Sequence, residues 1–225
     1  MYVGVDEAGK GPVLGPMVTA AVRAAPEHLP DDVDDSKRVT PERRASIAAA
    51  LRAHDAIDLA VTTVDPAEID APDTDMNTLT VQGQARAVLG VVQPDDRVVA
   101  DAGDTSEARF ADRLRASLRE PPTDAVGSAT PAAVDAAHGA DETDPVVGAA
   151  SIVAKVARDA RMTAIDAAYP AYDGVGSGYP SDPTTREFLR AYVADHGDVP
   201  GHARRSWSTC ADLLAAAEQS GLDQF

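Results

Sequence analysis

Met1-Tyr2-Val3-Gly4-Val5-Asp6-Glu7-Ala8-Gly9-Lys10-Gly11-Pro12 opens the chain, and the rest is read outward from it. The apolar run Tyr2 to Val5 predicts a buried strand from the first residues. It ends in two adjacent carboxylates, Asp6 and Glu7. Burying a carboxylate is costly unless something cationic pairs with it. Carboxylate oxygens gathered at a strand end are what a hard divalent cation such as magnesium requires. The Gly9-Lys10-Gly11 loop lets backbone approach a ligand closely, and its lysine adds a phosphate-seeking charge. The plainer reading of the same acids is a hairpin turn with both carboxylates in water. A second apolar run predicts a second strand over Val13 to Arg23.

Arg97-Val98-Val99-Ala100-Asp101 repeats the design, a short apolar strand ending in a carboxylate. Asp101 sits beside Asp6 if the two strands are parallel neighbours, since ligands of open α/β sheets bind at the carboxyl ends of strands. Asp104 is its rival, although Asp104-Thr105-Ser106 reads as the cap of a helix from about Glu107 to Leu118. Further on, Asp141, Glu142 and Asp144 compete. Asp144 before Pro145 reads as the N-cap of a long helix to about Ala168. That leaves Asp141 where the positive end of the helix dipole favours an anion. His138 reads as a hydrogen-bonded histidine rather than a ligand.

Elsewhere Thr40 with Pro41 starts a helix to about His54. Ala56 to Val64 alternates as a third strand, Asp70 to Asp75 is loop, and Asn77 to Val92 is helical with no functional reading. Ala132 to His138 is a fifth strand. The glycine loop Gly174 to Gly178 carries the single aromatic Tyr179, and Asp182-Pro183 begins another helix to about Asp195. The last amphipathic segment runs from Ser206 to Ala217.

The 225 residues suffice for one ample domain or a domain with a helical extension. No apolar run is long enough to cross a membrane and no signal peptide is recognisable, so a cytoplasmic location is expected. The single Cys210 excludes an internal disulfide and a cysteine-based zinc site. The net charge of −17 has the wrong sign for simple phosphate attraction. Seventeen arginines but only three lysines accompany twenty-eight aspartates. That balance suits a cytoplasm of molar salt, where the Debye length shrinks to about 3 Å and long-range repulsion of DNA is screened.

Asp6-Glu7-Ala8-Gly9-Lys10-Gly11-Pro12, followed by Gly15-Pro16-Met17-Val18, resembles the N-terminal motif of the ribonuclease HII family. Asp35-Ser36-Lys37, Ala100-Asp101-Ala102-Gly103-Asp104 and Gly148-Ala149-Ala150-Ser151-Ile152-Val153-Ala154-Lys155 resemble later motifs of that family in the expected order. The resemblance covers nearly the whole chain, weakest between Val64 and Pro94. With the acidic composition it implies an archaeal-type member from a halophile.

The resemblance implies an α/β fold, a ribonuclease H-like mixed five-stranded sheet flanked by helices over about residues 1–170. A C-terminal helical part over 171–217 completes the substrate groove, and 218–225 form a tail. It implies hydrolysis 5′ to a ribonucleotide in RNA–DNA hybrids and in duplex DNA with embedded ribonucleotides. On that resemblance Asp6, Glu7, Asp101 and Asp141 are expected to be the catalytic carboxylates and the ligands of Mg2+ or Mn2+. It likewise implies that Gly9, Lys10, Gly11, Ser36, Lys37, Lys155 and Tyr179 are substrate contacts, with Tyr179 on the nucleotide sugar at the RNA–DNA junction. The family often has a basic residue two positions before Asp141, where this chain has Gly139. The expected state is a monomer.

Gln219, Leu222 and Phe225 are spaced three apart after a helix that should end by Gly221, so one 3₁₀ turn would align them. The pattern resembles the peptide that binds the sliding clamp, here with one aromatic where the usual motif has two. Two other functions fit some of these features. Another nuclease of the same fold, such as a junction resolvase or an exonuclease, would use similar carboxylates but would not need the Gly-Lys-Gly and tyrosine loops. A non-catalytic acidic binding protein would carry its carboxylates as solvated surface.

Overall fold

The structure is a computed structural model and describes residues 1–31, 40–121, 124, 125, 127 and 129–222, without the side chains of 220–222. Its strands are β1 Tyr2–Ala8, β2 Met17–Ala24, β3 Asp58–Val64, β4 Arg97–Asp101 and β5 Ala133–Ala137. Its helices are α1 Pro41–Ala53, α2 Pro66–Ile69, α3 Met76–Leu89, α4 Glu107–Arg119, α5 Ala140–Thr143, α6 Pro145–Ala168, α7 Pro183–His196 and α8 Ser208–Leu222. The chain gathers into two compact units. The first comprises Met1–Ala8, Met17–Thr63 and Asp75–Ala157; the second comprises Gly9–Pro16, Val64–Thr74 and the chain from Arg158 onward.

The first unit holds a five-stranded sheet in the order β3-β2-β1-β4-β5. β1 runs antiparallel to β2, with Asp6 opposite Ala20 and Glu7 opposite Thr19. β1 runs parallel to β4, which pairs in parallel with β5. This is the expected mixed sheet. One face carries Val3, Val5, Val98 and Ala100 against Val81, Ala85 and Val88 of α3 and Phe110 and Leu114 of α4. The other carries Ala20, Val22 and Ala24 against Ile47 and Leu51 of α1 and Val146, Ala150 and Val153 of α6. Full burial of each such branched side chain stabilises the sheet by about 1.5–3 kcal/mol. Gly4 lets α6 approach, because a Cβ there would lie 2.5 Å from the backbone of Val146 and of Val147.

The helix starts follow from capping chemistry. Thr40 accepts from the Arg43 amide, Ser106 from the Arg109 amide, and Asp182 from the Thr184 amide. Asp144 takes the amides of Val146 and Val147 at 2.9 and 3.1 Å, as expected of the cap of α6.

Three expectations are corrected. The second strand starts at Met17, not Val13. Gly15 turns into the left-handed region at φ +83°, and Val13 and Leu14 instead enter the core of the second unit, their amides donating to the Gly178 carbonyl. Asp65-Pro66 does not only end β3, since Pro66–Ile69 form the short helix α2. The last helix does not stop by Gly221 but continues to Leu222.

In the second unit, Val13, Leu14, Met162, Ile165, Phe188, Leu189 and Cys210 form a separate core, with Tyr169, Tyr172 and Tyr192 packed around it. α7 and α8 supply the expected C-terminal helical part.

Candidate active site

Period-2 alternation decides where the opening carboxylates point. Val3, Val5 and Glu7 share the α3 face of β1; Gly4 and Asp6 share the α6 face. Asp6 and Glu7 therefore leave the end of one strand on opposite sides of the sheet. On β4, Val98 and Ala100 face α3, and Val99 packs with Ala140 and Val147 on the other side. Asp101 follows the parity of Val99. It lies one residue beyond the Val5–Ala100 pair, next to Asp6 and on the same face.

Each carboxylate has its own support. Asp6 is 5% exposed, and its Oδ1 accepts from the Glu7 amide at 2.7 Å. Burial pushes its carboxyl well above the ordinary range, and the charges of Glu7 and Asp101 push the same way. The fully buried hydroxyl of Ser151 on α6 lies near enough to Asp6 to oppose that shift, yet it has no hydrogen-bond partner. Asp101 Oδ1 accepts from the Ala140 amide at 2.8 Å. Asp141 is buried in the single turn of α5, and Lys155 Nζ of α6 stands 3.9 Å from its Oδ2. Gly139 begins that turn at φ +65°, a left-handed conformation that accounts for glycine there.

On the opposite face, Gln84 of α3 is fully buried. Its Nε2 donates to Glu7 Oε2 at 2.8 Å and to the Asp101 carbonyl at 3.1 Å. Sequence reasoning gave α3 no functional role and missed Gln84. The available signal was a polar residue one turn from Thr80 and one turn from Val88, on the face that is buried.

The rivals have other partners. Asp104 accepts from Arg109 through both oxygens and from the Thr105 amide, and Arg109 holds its carboxyl well below the usual range. His138 bonds the Asp104 carbonyl at 2.6 Å and faces Glu107. The structure thus brings Asp6, Asp101, Asp141, Ser151 and Lys155 to one face of a strand end and Glu7 with Gln84 to the other. Among the described residues, no three His, Cys, Asp or Glu side chains are drawn close enough to hold a metal ion as they stand. The donor set still suits a hard cation: several carboxylates, one of them buried and destabilised by its neighbours' charge, relieved by a positive ion.

The other expected contacts fall in the second unit. Gly9 has φ +85°, and Arg204 donates to the carbonyls of Gly9, Lys10 and Gly15. Trp207 Nε1 donates to the Gly11 carbonyl at 3.4 Å, and its ring packs against the Arg204 guanidinium. A Cβ on Gly11 would stand 3.9 Å from the Tyr179 ring, so the Gly-Lys-Gly turn and the tyrosine are neighbours. Tyr179 is 41% exposed, uncommon for a large apolar side chain in this molecule. Ser36 and Lys37 lie outside the described residues, as does Phe225. Gln219 is exposed on α8, and the backbone of Leu222 ends that helix. No helix among the described residues is long and apolar enough to cross a membrane.

A sequence model of the family described as Ribonuclease HII matches residues 3–210. The chain is 55% identical to Ribonuclease HII of Haloarcula marismortui, covering all of both chains. It is 52% identical to that of Halobacterium salinarum over 99% of this chain and 98% of the relative. Among solved structures, ribonuclease H2 from Pyrococcus horikoshii OT3 superposes with a TM-score of 0.81 at 34% identity, covering 97% of this chain and 99% of the other. The RNase HII of Archaeoglobus fulgidus, solved in complex with PCNA, gives 0.74 at 32% identity over 95% and 96%.

Proposed function

The chain belongs to the ribonuclease HII family of metal-dependent endoribonucleases acting on RNA–DNA hybrids, and on that premise we propose how its own residues divide the work. Asp6, Glu7, Asp101 and Asp141 hold the divalent ion, Mg2+ or Mn2+. The observation that carries this is Asp6, a buried carboxyl pushed towards protonation by burial and by Glu7 and Asp101. An ion bound there supplies Lewis-acid activation of water and steadies negative charge on the phosphate. The Glu7 amide holds Asp6, the Ala140 amide holds Asp101, and Gln84 holds Glu7.

The bond cut is the phosphodiester on the 5′ side of a ribonucleotide, in hybrids and in duplex DNA with embedded ribonucleotides. Water adds to phosphorus, the P–O3′ bond breaks, and the proton passes to the departing 3′ oxygen. The ribonucleotide keeps a 5′-phosphate and the upstream strand a 3′-hydroxyl. Gly9, Lys10, Gly11 and Tyr179 read the 2′-hydroxyl and the adjoining sugar, the 2′-hydroxyl being the group that tells RNA from DNA. Their proximity supports the assignment. Lys155 contacts substrate from its place beside Asp141, and Ser36 and Lys37 contribute further contacts.

The protein works as a cytoplasmic monomer, and its tail residues Gln219, Leu222 and Phe225 bind the sliding clamp. The complex of the Archaeoglobus fulgidus relative with PCNA supports that partner. The test of the reaction is cleavage, at molar KCl, of a duplex carrying one ribonucleotide, with Mg2+ and with EDTA, followed by mapping of the product ends. Cleavage 5′ to the ribonucleotide that EDTA abolishes is expected. No cleavage, a cut on the 3′ side, or equal cutting of the all-deoxy duplex would overturn the reading.

A further inference from the structure

The second unit buries two arginines, Arg158 at 6% exposure and Arg204 at zero. Among the described residues, neither forms an ion pair. Arg158 Nε has no hydrogen-bond partner at all. Burial lowers the pKa of both guanidinium groups, that of Arg204 to about 10, where the charge of Arg158 adds to the effect. A core built only for stability would place apolar side chains here, because buried charge is weak evidence for stabilisation. The bonds these two side chains do make are directed at loops.

Arg204 takes three carbonyls of the Gly9–Gly15 turn. Arg158 joins that turn to the second glycine loop. Its stem passes over Gly9, where a Cβ would lie 2.3 Å from Nε and 2.5 Å from Cδ. Its Nη2 donates to the Ser177 carbonyl at 2.9 Å. A Cβ on Gly178, itself at φ +85°, would lie 3.1 Å from that Nη2. Its guanidinium carbon stands 5.4 Å from the centroid of the Tyr179 ring, within cation–π range. Both loops are thus shaped around one planar cation, and glycine stands at the points of closest approach.

We propose that Arg158 is a positioning residue for substrate recognition: it fixes the Gly9 turn and the Tyr179 ring as one preformed nucleotide-reading surface. The proposal rests on the reading of these two loops as nucleotide contacts. Arg158 itself, with its guanidinium buried, acts through Tyr179 and Gly9. Fixing an aromatic ring and a backbone turn in advance removes ordering that binding would otherwise have to supply.

The test is a double-mutant cycle on kcat/KM for a duplex carrying one ribonucleotide, using the full chain with Mn2+ at molar KCl. Arg158→Gln should lower kcat/KM about tenfold to a hundredfold, as misplacement of a positioning contact does. Circular dichroism and Mn2+ affinity by calorimetry should stay unchanged. Tyr179→Ala should lower kcat/KM as well. Since Arg158 acts through the ring, adding Arg158→Gln to Tyr179→Ala should cost much less than Arg158→Gln does alone. Losses that multiply overturn the proposal, as does wild-type kcat/KM in folded Arg158→Gln. Wild-type kcat/KM in Tyr179→Ala instead overturns the nucleotide reading beneath it. If Arg158→Gln does not fold, Arg158→Lys enters the same cycle, judged by the same criterion.

Discussion

The Gln84 amide donates to the Glu7 carboxylate at 2.8 Å while its second hydrogen bond reaches the Asp101 carbonyl at 3.1 Å. One neutral side chain from α3 therefore ties the carboxyl ends of two parallel strands. It is fully buried, and its Oε1 has no partner. Gln84→Leu removes both bonds and fills similar volume. Outer-shell partners of metal-binding carboxylates are typically worth about 10–100-fold in metal affinity or activity. We expect a loss of that order in Mn2+ affinity by calorimetry and in kcat/KM, with the fold retained. Unchanged Mn2+ affinity in Gln84→Leu would show that the amide only packs.

Asp101 and Asp104 stand three residues apart, and the structure gives them different partners. Asp104 is locked by Arg109 and the Thr105 amide, whereas Asp101 sits at the strand end beside Asp6. Asp104→Asn should lower Tm and leave cleavage within a few-fold of wild type. Asp101→Asn should lose nearly all cleavage with little change in Tm. Cleavage and thermal melts on the two variants decide it, and the reversed pattern would exchange the roles.

Asp6 gives a pH dependence. Its folded carboxyl titrates above the unfolded value, first through burial and then through Glu7. Such a group favours folding fully below the ordinary carboxylate range, about pH 4, and that contribution is lost as pH rises through the raised value. In EDTA, Asp6→Asn should therefore melt higher than wild type at neutral pH, by about 2–4 °C for each kcal/mol relieved in a chain of this size. The difference should vanish as pH falls towards 4. Saturating Mn2+ at neutral pH should reverse the order, since the ion stabilises the charged carboxylate. A wild type that melts above Asp6→Asn at neutral pH in EDTA would remove the argument.

Strand ends were legible because their signal is local. An apolar run stopping at a carboxylate marks β1 and β4, and capping residues before proline mark α1, α6 and α7. What escaped is set by partners far along the chain. Gln84 acquires meaning from Glu7, 77 positions away, and Arg204 from Gly9, 195 positions away. The departure of Val13 and Leu14 from the sheet depends on Gly15 and on a core assembled from the second half of the chain. Local periodicity carries none of this.

Twenty-eight aspartates and a net charge of −17 set the fourth expectation. Like charges at this density repel in dilute buffer, and molar salt contracts the Debye length to about 3 Å. Tm should rise steeply between low and molar KCl. A flat dependence would mean that the acidic composition is unrelated to salt.

The tail gives the last expectation. α8 is anchored upstream, by Cys210 in the core of the second unit and by Leu213 packed against it. Its final turn carries Gln219, exposed, and the backbone of Leu222. Removing Leu222 to Phe225 takes away the aliphatic and aromatic positions of the clamp-binding pattern and leaves those anchors in place. Intrinsic cleavage of a ribonucleotide-containing duplex should then be unchanged, while binding of the sliding clamp, measured by calorimetry at molar KCl, should disappear. Gln219→Ala in the full chain should weaken binding without abolishing cleavage. A truncated chain that binds the clamp as tightly as the full one would assign the contact to another surface.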